Sequence, residues 1–552
     1  MILGEGPSYA ETSTGKPFQG PAGKELNTLL KDAGISRDSC WISNVCKYEV
    51  PPSPKGKKIP YAIRAKQVGI DIHEQLSELQ TEINSIKPNC ILALGGTALW
   101  ALSGKNKISD WRGSIQFGMG RKFIATYHPA HLLHQATGGE FKGYWNRYVM
   151  IFDFKRALAE AQFPDVILPH RNLQICQSSE ELTHFHNLWK SKGKKRLSVD
   201  IEAGGHCLPI CMGLSFDRSH GMTVPLWNRD GISSIPTGDL AQIWMILAEM
   251  LYEYDTLGQN FNYDRDKIRR LGFVIRNLAS DTMLKAFAIN PELPKRLAFN
   301  QSLYTKEPFY KDEGMYEGSL RDLFLGCARD ACVTLEIDEE MDADLDQLKM
   351  RPFYETFLMK LPELYAEIEN TGFLVDEARR DELIKKYVAW DERLRYELFN
   401  LVGVEVNVNS PKQVWTLLFD TLGMPWRAGT GEEELTSLLN LQSFTNPEHR
   451  KIVELVLEDR RVRRTISNNL CAIPDWDGRM KTTCFPCLET GRSSTGQQDP
   501  PIRPTVELRD ETGKKKNKAL GFPFQTMTKH GDIGADIRSM YIADPGYVFV
   551  QA

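Results

Sequence analysis

No apolar run in this sequence approaches the ~20 residues that crossing a bilayer requires, and no charged start precedes an apolar signal core. Cysteine is sparse and odd in number, 11 in 552 residues, which excludes a regular disulfide framework and favours reduced thiols in a cytoplasmic setting. Net charge is nearly absent: Lys+Arg number 68 against Asp+Glu 72, a balance of −4. A surface for a polyanion must therefore be local. No Gly-Lys pair is followed by Ser or Thr, which excludes a P-loop, and no repeat of ~20 to 50 residues recurs, which excludes a solenoid. What remains is the composition of a folded chain, 41% apolar, 25% charged and 10% aromatic, with mean hydropathy −0.37. At ~150 residues per domain the length predicts three or four domains.

Punctuation divides the chain. QFPDVILPHRN, with Pro164 and Pro169, follows a helix-like segment from Tyr144 to Ala161 and predicts a linker over 163–173 between a domain at 1–162 and a second at 174–345. The second alternates: Leu197 to Ile201 reads as a buried strand, Gly205 to Pro225 as a hairpin's worth of extended chain, and Leu240 to Tyr252 as an amphipathic helix. From 346 to 552 the pattern is mainly helical, with a polar Gly/Pro/Lys-rich stretch from Arg503 to Lys518.

In the first domain GEGPSYAE with GKPFQGPAG, WISNV and TYHPAHLL each end a predicted strand, where loops of an α/β sheet converge on one crevice. The chemistry on offer is a carboxylate, a Phe ring, an Asn amide and an imidazole. These suit a planar base: the amide reads its edge, the ring stacks, and the His stabilises negative charge on an oxygen. Over about residues 2 to 155 the sequence resembles the uracil-DNA glycosylase superfamily, most closely its family-4 branch. The resemblance implies an α/β/α sandwich in which Phe18 stacks on a flipped uracil, Asn44 binds its polar edge and His128 binds the O2 oxygen. Glu5 then lies near the sugar and its attacking water and Glu11 near C5, while Leu132 and Leu133 belong to the loop that wedges the vacated stack. Family-4 members hold a four-Cys iron-sulfur cluster. Here Tyr48 and Gln75 fall where two of the thiols belong, and only Cys40, Cys46 and Cys90 lie in the domain, so no cluster is expected. Ser8 replaces a Gly of the first motif.

The strand LSVDIE carries Asp200 and Glu202, and a spacing of two puts both carboxylates on one face. QNFNYDRDK adds Asp264, and CARDACVTLEI adds Asp330 inside a helix-like stretch. Four carboxylates from distant segments fit two-metal phosphodiester hydrolysis. The set resembles the 3′-to-5′ exonuclease domain of family-A DNA polymerases, an RNase H-like fold, with Asp200, Glu202, Asp264 and Asp330 as ligands of Mg2+ and Asn260 as a neighbouring motif residue. That family has a Tyr four residues before the last Asp, where this chain has Gly326. Tyr263 and Tyr316 are the sequence candidates to replace it.

LPELYAEIENTGFLVD, LEDRRVRRTISNNL and ETGRSS resemble the start of a family-A polymerase: a mainly helical thumb and the beginning of the palm. By that resemblance Arg460, Arg461, Arg463, Arg464 and Arg492 meet primer-template DNA through its phosphates. IRSMYIADPGYVFVQA resembles the strand before the first palm Asp, so the chain is expected to be a fragment lacking the polymerase site. Cys484 and Cys487 read as part of a strand. The whole is expected to be an α/β multidomain DNA replication and repair enzyme, phage or bacterial, in the cytoplasm of its cell or host. It would excise uracil and shorten single-stranded 3′ ends, without a membrane partner. The alternative is a DNA-binding module that senses uracil with both sites degenerate, favoured by Ser8 and Gly326.

Overall fold

The computed structural model describes residues 1–53, 59–136, 144–203, 209–311, 318–475, 477–488, 490–496, 508–509, 515–516, 521–527 and 531–550. Tyr316 and most of the Arg503 to Lys518 stretch lie outside the described residues. The chain divides into two compact units, Met1–Lys360 and Leu361–Ala552.

The first unit begins with β1 (Ile2–Gly4), α1 (Tyr9–Thr14), α2 (Pro21–Asp32), β2 (Ile42–Asn44), β3 (Ile91–Leu94), α3 (Gly96–Ser103), β4 (Ile115–Gly118), β5 (Arg121–Thr126), α4 (Ala130–Ala136) and α5 (Tyr144–Glu160). The sheet order is β2-β1-β3-β5-β4, parallel except for β4 against β5. Strand periodicity sends neighbours to opposite faces. Ile2 packs with Leu26, Leu29, Met150 and Phe154, whereas Leu3 packs with Leu79, Ile83 and Leu99 on the other side. Both faces are covered by helices, the α/β/α arrangement that buried parallel strands require.

A second sheet follows, with β6 (Asn172–Ile175), β7 (Arg196–Ala203), β8 (Pro209–Ser215), β9 (His220–Pro225), β10 (Asp255–Gly258) and β11 (Asn277–Asp281) in the order β11-β10-β7-β8-β9-β6. Its helices include α6 (Leu240–Glu253), α7 (Phe261–Arg270), α8 (Thr282–Ile289) and the 28-residue α9 (Leu320–Gln347). α9 lies unusually close to the sheet because two strand glycines have no side chain. A Cβ on Gly213 would sit 2.4 Å from the Cys327 carbonyl oxygen, and one on Gly221 2.5 Å from that of Ala328.

Residues 163–171 carry no helix or strand, yet the two sheets pack together as one unit. Arg112, 1% exposed, reaches Asp153 on α5 through two nitrogens, with Nε at 2.9 Å, and donates from Nη1 to Ser302 Oγ at 2.7 Å. Arg156 adds bonds to the carbonyls of Ser302, Leu303 and Thr305. Buried Lys122 pairs with Glu160, which also receives Lys306 at 3.0 Å. The first unit also extends past 345: the hydroxyl of buried Tyr354 meets Ser280 Oγ at 2.7 Å and accepts the Asp281 N–H at 3.0 Å. Residues 346–360 thus pack on the second sheet, although their helical pattern reads like the segment that follows.

The second unit holds β12 (Phe373–Val375), α10 (Glu377–Val402), α11 (Pro447–Thr465), β13 (Arg479–Met480), β14 (Thr483–Phe485), β15 (Ser494–Gly496), α12 (Gly531–Ser539) and β16 (Tyr541–Ile542). β12 is the centre of a small antiparallel sheet between β13 and β16. Leu383, Tyr387, Leu394 and Leu398 of α10 pack with Ile452, Val453 and Val456 of α11. Cys484 is a buried residue of β14.

Removing one partner of a buried ion pair strands the other's charge, so Arg112→Ala should destabilise the first unit by about 3–5 kcal/mol. Urea unfolding followed by tryptophan fluorescence measures this loss.

Candidate active sites

The first candidate site forms at the C-terminal ends of β1, β2 and β5, where the strands deliver Glu5, Asn44 and His128. Gly4 is where they converge: a Cβ there would lie 2.4 Å from Asn44 Oδ1 and 2.7 Å from the Phe18 ring. Phe18 itself is 5% exposed with φ +57°, a left-handed conformation costly for a bulky residue. Its backbone N–H is gripped by Glu11 Oε1, while Glu11 Oε2 accepts the Ser8 N–H at 2.7 Å and the Ser8 hydroxyl at 2.5 Å. Gly23 leaves room for the Phe18 carbonyl, which a Cβ would overlap at 1.9 Å. This Ser8–Glu11 capping box therefore fixes the ring. Glu11, expected beside the base's C5, has both oxygens engaged by the chain's own donors. Ser8 supplies a hydroxyl to that latch, which a Gly could not.

Phe18 lies against His128 with ring centroids 5.7 Å apart and planes at 29°. His128 Nδ1 accepts the Ala130 N–H at 3.2 Å, so the neutral ring carries its proton on Nε2. Burial lowers its pKa against the opposing pull of Glu5 and Glu11. The Asn44 side-chain amide makes no hydrogen bond to another described residue, while the Asn44 carbonyl receives Lys47 Nζ at 3.2 Å. Glu5 is held by the Thr97 hydroxyl at 2.5 Å and by Arg64 at 3.3 Å, partners that no local sequence pattern pointed to. Leu132 and Leu133 stand in the first turns of α4, a helix where a loop was expected, and Leu132 packs on the core beside Phe18. The surroundings of Cys46 do not suit an iron-sulfur cluster: Gln75 is 3% exposed, accepts the Lys47 N–H at 2.8 Å and donates to Glu78, so an amide already in use occupies a thiolate's place.

The second candidate site forms on β7 and α9. Ligand atoms of Asp200, Glu202 and Asp330 lie within 4.8 Å of one another, and oxygen donors of this kind suit a hard divalent cation. Burial, with the neighbouring carboxylates, raises the pKa of Asp200 and pushes Glu202 up to about 7. Asp264 sits beside them on α7, its Oδ1 accepting the Ile201 N–H at 3.0 Å, and its pKa is likewise raised by burial and by Asp200. Buried Asp281 clamps the start of that helix by accepting the Asn260 and Phe261 N–H groups. It also caps α8 at Met283, a structural task that makes sense of the Asp at that position. Asn260 is the left-handed N-cap residue of α7. Gly326 is buried in α9. Tyr263 has Lys267 over its ring at 4.7 Å.

The arginines of the second unit differ among themselves. Arg460 donates to the Val408 carbonyl at 2.6 Å and to Thr430, and Arg463 pairs with Asp391 at 2.8 Å and buried Asp459 at 2.6 Å. These two hold loops and helices together and are not free phosphate contacts. Arg461, Arg464 and Arg492 are exposed.

Residues 1–149 match the uracil DNA glycosylase superfamily. Over 140 residues the chain is 36% identical to the type-4 uracil-DNA glycosylase of Thermotoga maritima, covering 25% of this chain and 67% of that protein. Over the remainder the similarity is to bacterial DNA polymerase I. Identity is 25% over 313 residues with the Lactococcus lactis subsp. cremoris protein, 53% of this chain and 34% of the relative. It is 25% over 262 residues with that of Geobacillus stearothermophilus, 45% of this chain and 29% of the relative. The chain thus spans about a third of the length of these polymerase relatives. The POL domain of Pol1 from M. smegmatis, solved with DNA primer-template and dNTP, shares the fold at TM-score 0.50 over 68% of this chain and 59% of that one, with 18% identity. No helix among the described residues is long and apolar enough to cross a membrane.

A lowered histidine pKa has a defined pH signature. Between the folded value and the ordinary 6.5 the unfolded chain binds more protons, so His128's contribution to stability is full above that range and is lost as pH falls through the folded value. Nitrogen-15 spectra of histidine-labelled protein at pH 7 should show His128 as the neutral Nε2–H tautomer.

Proposed function

The chain belongs, through its N-terminal residues, to the uracil-DNA glycosylase superfamily, and from that premise we propose that it excises uracil from DNA and also hydrolyses DNA from the 3′ end. The observation that carries the first activity is the convergence of Phe18, Asn44 and His128 around Gly4. An extruded uracil stacks on Phe18 and offers its polar edge to the free Asn44 amide. As the glycosidic bond breaks, negative charge collects on the departing base, and the His128 Nε2–H donates to O2 where that charge develops. A neutral imidazole does this without losing its proton to the anion. Glu5, fixed by Thr97 and Arg64, faces the sugar side and orients the water that adds to it. Glu11 acts through the position of Phe18, and Leu133 is the nearer candidate for the wedge, because Leu132 is partly committed to the core.

Asp200, Glu202 and Asp330, with Asp264 beside them, would hold Mg2+, which supplies Lewis-acid stabilisation of the phosphodiester oxygens when bound. Burial among like charges makes this cluster unfavourable as bare carboxylates, which supports a cation as its natural occupant. The second unit contributes duplex affinity through the exposed Arg461, Arg464 and Arg492.

End-labelled uracil-containing and uracil-free oligonucleotides, each with Mg2+ or with EDTA, separate the two activities. Abasic-site formation should persist in EDTA, and shortening from the 3′ end should need the metal. Asn44→Ala and His128→Ala should each lower excision about a hundredfold, the loss of ~3 kcal/mol expected for one transition-state donor. Asp200→Ala with Glu202→Ala should abolish shortening and leave excision intact. Retention of wild-type excision by either single variant removes that residue from the site. For the second unit, Arg461→Ala with Arg464→Ala should flatten the salt dependence of duplex binding, whereas Arg460→Ala should act mainly on stability.

A further inference from the structure

Helix α9 carries buried Gly326 one turn before Asp330, so no hydroxyl reaches the carboxylate cluster from that turn. Two side chains from the stretch ahead of α9 reach it instead. The Tyr310 hydroxyl donates to Asp330 Oδ1 at 2.5 Å, and Lys311 Nζ lies 2.7 Å from Asp330 Oδ2. Asp330 is fully buried and Lys311 is 19% exposed, so this contact is made largely away from water. The Lys311 charge also acts on Asp200 and Glu202, the two other members of the cluster.

The segment is tightly held. Gln301 donates to the carbonyls of Glu307 and Pro308, at 3.2 and 2.8 Å. Glu307 pairs with Arg171 at 2.7 Å, and Arg329 lies over the Tyr310 ring at 4.7 Å. From the first sheet's side, Ser114 Oγ accepts the Phe309 N–H at 3.0 Å, and the Phe309 ring meets Trp111 edge-on at 5.0 Å. Such anchoring gives Tyr310 a fixed position on the cluster, the condition for a side chain to orient another, and carries the adjacent Lys311 to Asp330.

We propose that Tyr310 and Lys311 are positioning residues of the carboxylate site: the hydroxyl fixes the Asp330 carboxylate, and the ammonium is a resident counter-cation that an incoming divalent metal displaces. The proposal rests on reading the cluster as a metal-dependent nuclease. It has two separable consequences. A metal that must evict Lys311 binds more weakly than the carboxylates alone would allow, and an Asp330 freed from Tyr310 is oriented less well for turnover.

The full chain is titrated with Mn2+ alone by calorimetry, and Mg2+-dependent shortening of a labelled single strand is measured alongside. Lys311→Met should bind Mn2+ at least fivefold more tightly than the wild type, and Lys311→Arg should restore the weaker affinity. A merely structural role would weaken binding, so the direction discriminates. Tyr310→Phe should lower turnover at saturating Mg2+ about tenfold, with Mn2+ affinity within twofold of wild type. Equal or weaker Mn2+ binding by Lys311→Met overturns the counter-cation, and wild-type turnover by Tyr310→Phe overturns the positioning hydroxyl. If the wild type binds Mn2+ yet shortens no DNA, the nuclease reading fails while the affinity comparison still decides the role of Lys311. Uracil excision by the same preparations reports that each variant is folded.

Discussion

The buried carboxylate of Asp153 is the constraint on which both the end of β5 and the junction between the two sheets depend. Fully buried, it receives two nitrogens of Arg112 and the hydroxyl of Thr126 at 2.7 Å. Thr126 ends β5 two residues before His128, so the same carboxylate that satisfies a buried guanidinium also sets the end of the strand that bears the imidazole. Arg112 in turn reaches Ser302, and with Arg156 it stitches the first sheet to the stretch that leads to Phe309 and Tyr310. A buried ion pair is weak evidence for net stability, since desolvation offsets most of its attraction. Its worth here is geometric: Arg112 is forced to use its remaining donors within the protein, and the acceptor it finds, Ser302 Oγ, lies across the junction between the sheets.

Burial acts on both candidate sites with opposite chemical results. At the first it disfavours the imidazolium and keeps His128 a neutral donor, suited to a leaving anion. At the second it disfavours carboxylates and raises Asp200, Glu202 and Asp264 together, a penalty that a divalent cation removes. One physical cause, transfer of charge from water, thus favours a neutral imidazole at one site and a charge-compensating cation at the other.

The sequence displayed its short-range geometry well and its long-range geometry poorly. Two-residue periodicity put Asp200 and Glu202 on one face of β7, and the positions of Gly4, Asn44 and Thr126 at strand ends are as the apolar runs indicate. Ordered motifs also announced the α/β/α sandwich. Nothing local announced Tyr310. Its partner is twenty residues away on a helix whose own turn lacks a hydroxyl, and the segment between is defined by contacts to Ser114, Trp111 and Arg171. The partners of Glu11 were hidden for a related reason: its motif gives its neighbourhood, whereas the capping box that engages both oxygens depends on Ser8 and on the turn at Phe18. The close of the first unit at Lys360 was hidden because helical periodicity is identical whether a helix packs on the preceding sheet or the following bundle. Tyr354, which decides the matter, does so with a hydroxyl whose partners lie on β11.

The arginines of α11 make the same point about charge. Four arginines within five positions look like one basic face, but 3.6 residues per turn spread them around the helix. Arg460 and Arg463 are turned toward Val408, Thr430, Asp391 and Asp459, and Arg461 and Arg464 toward solvent. The inward pair is needed there: Asp459 is 1% exposed, its pKa pushed up to about 6 by burial, and the Arg463 guanidinium is the group that opposes that rise. A residue whose charge is spent on a buried carboxylate cannot also neutralise a phosphate without leaving that carboxylate unpaired. Two of the four arginines are thus spent inside the unit, and the row in the sequence overstates the helix's outward arginine charge twofold.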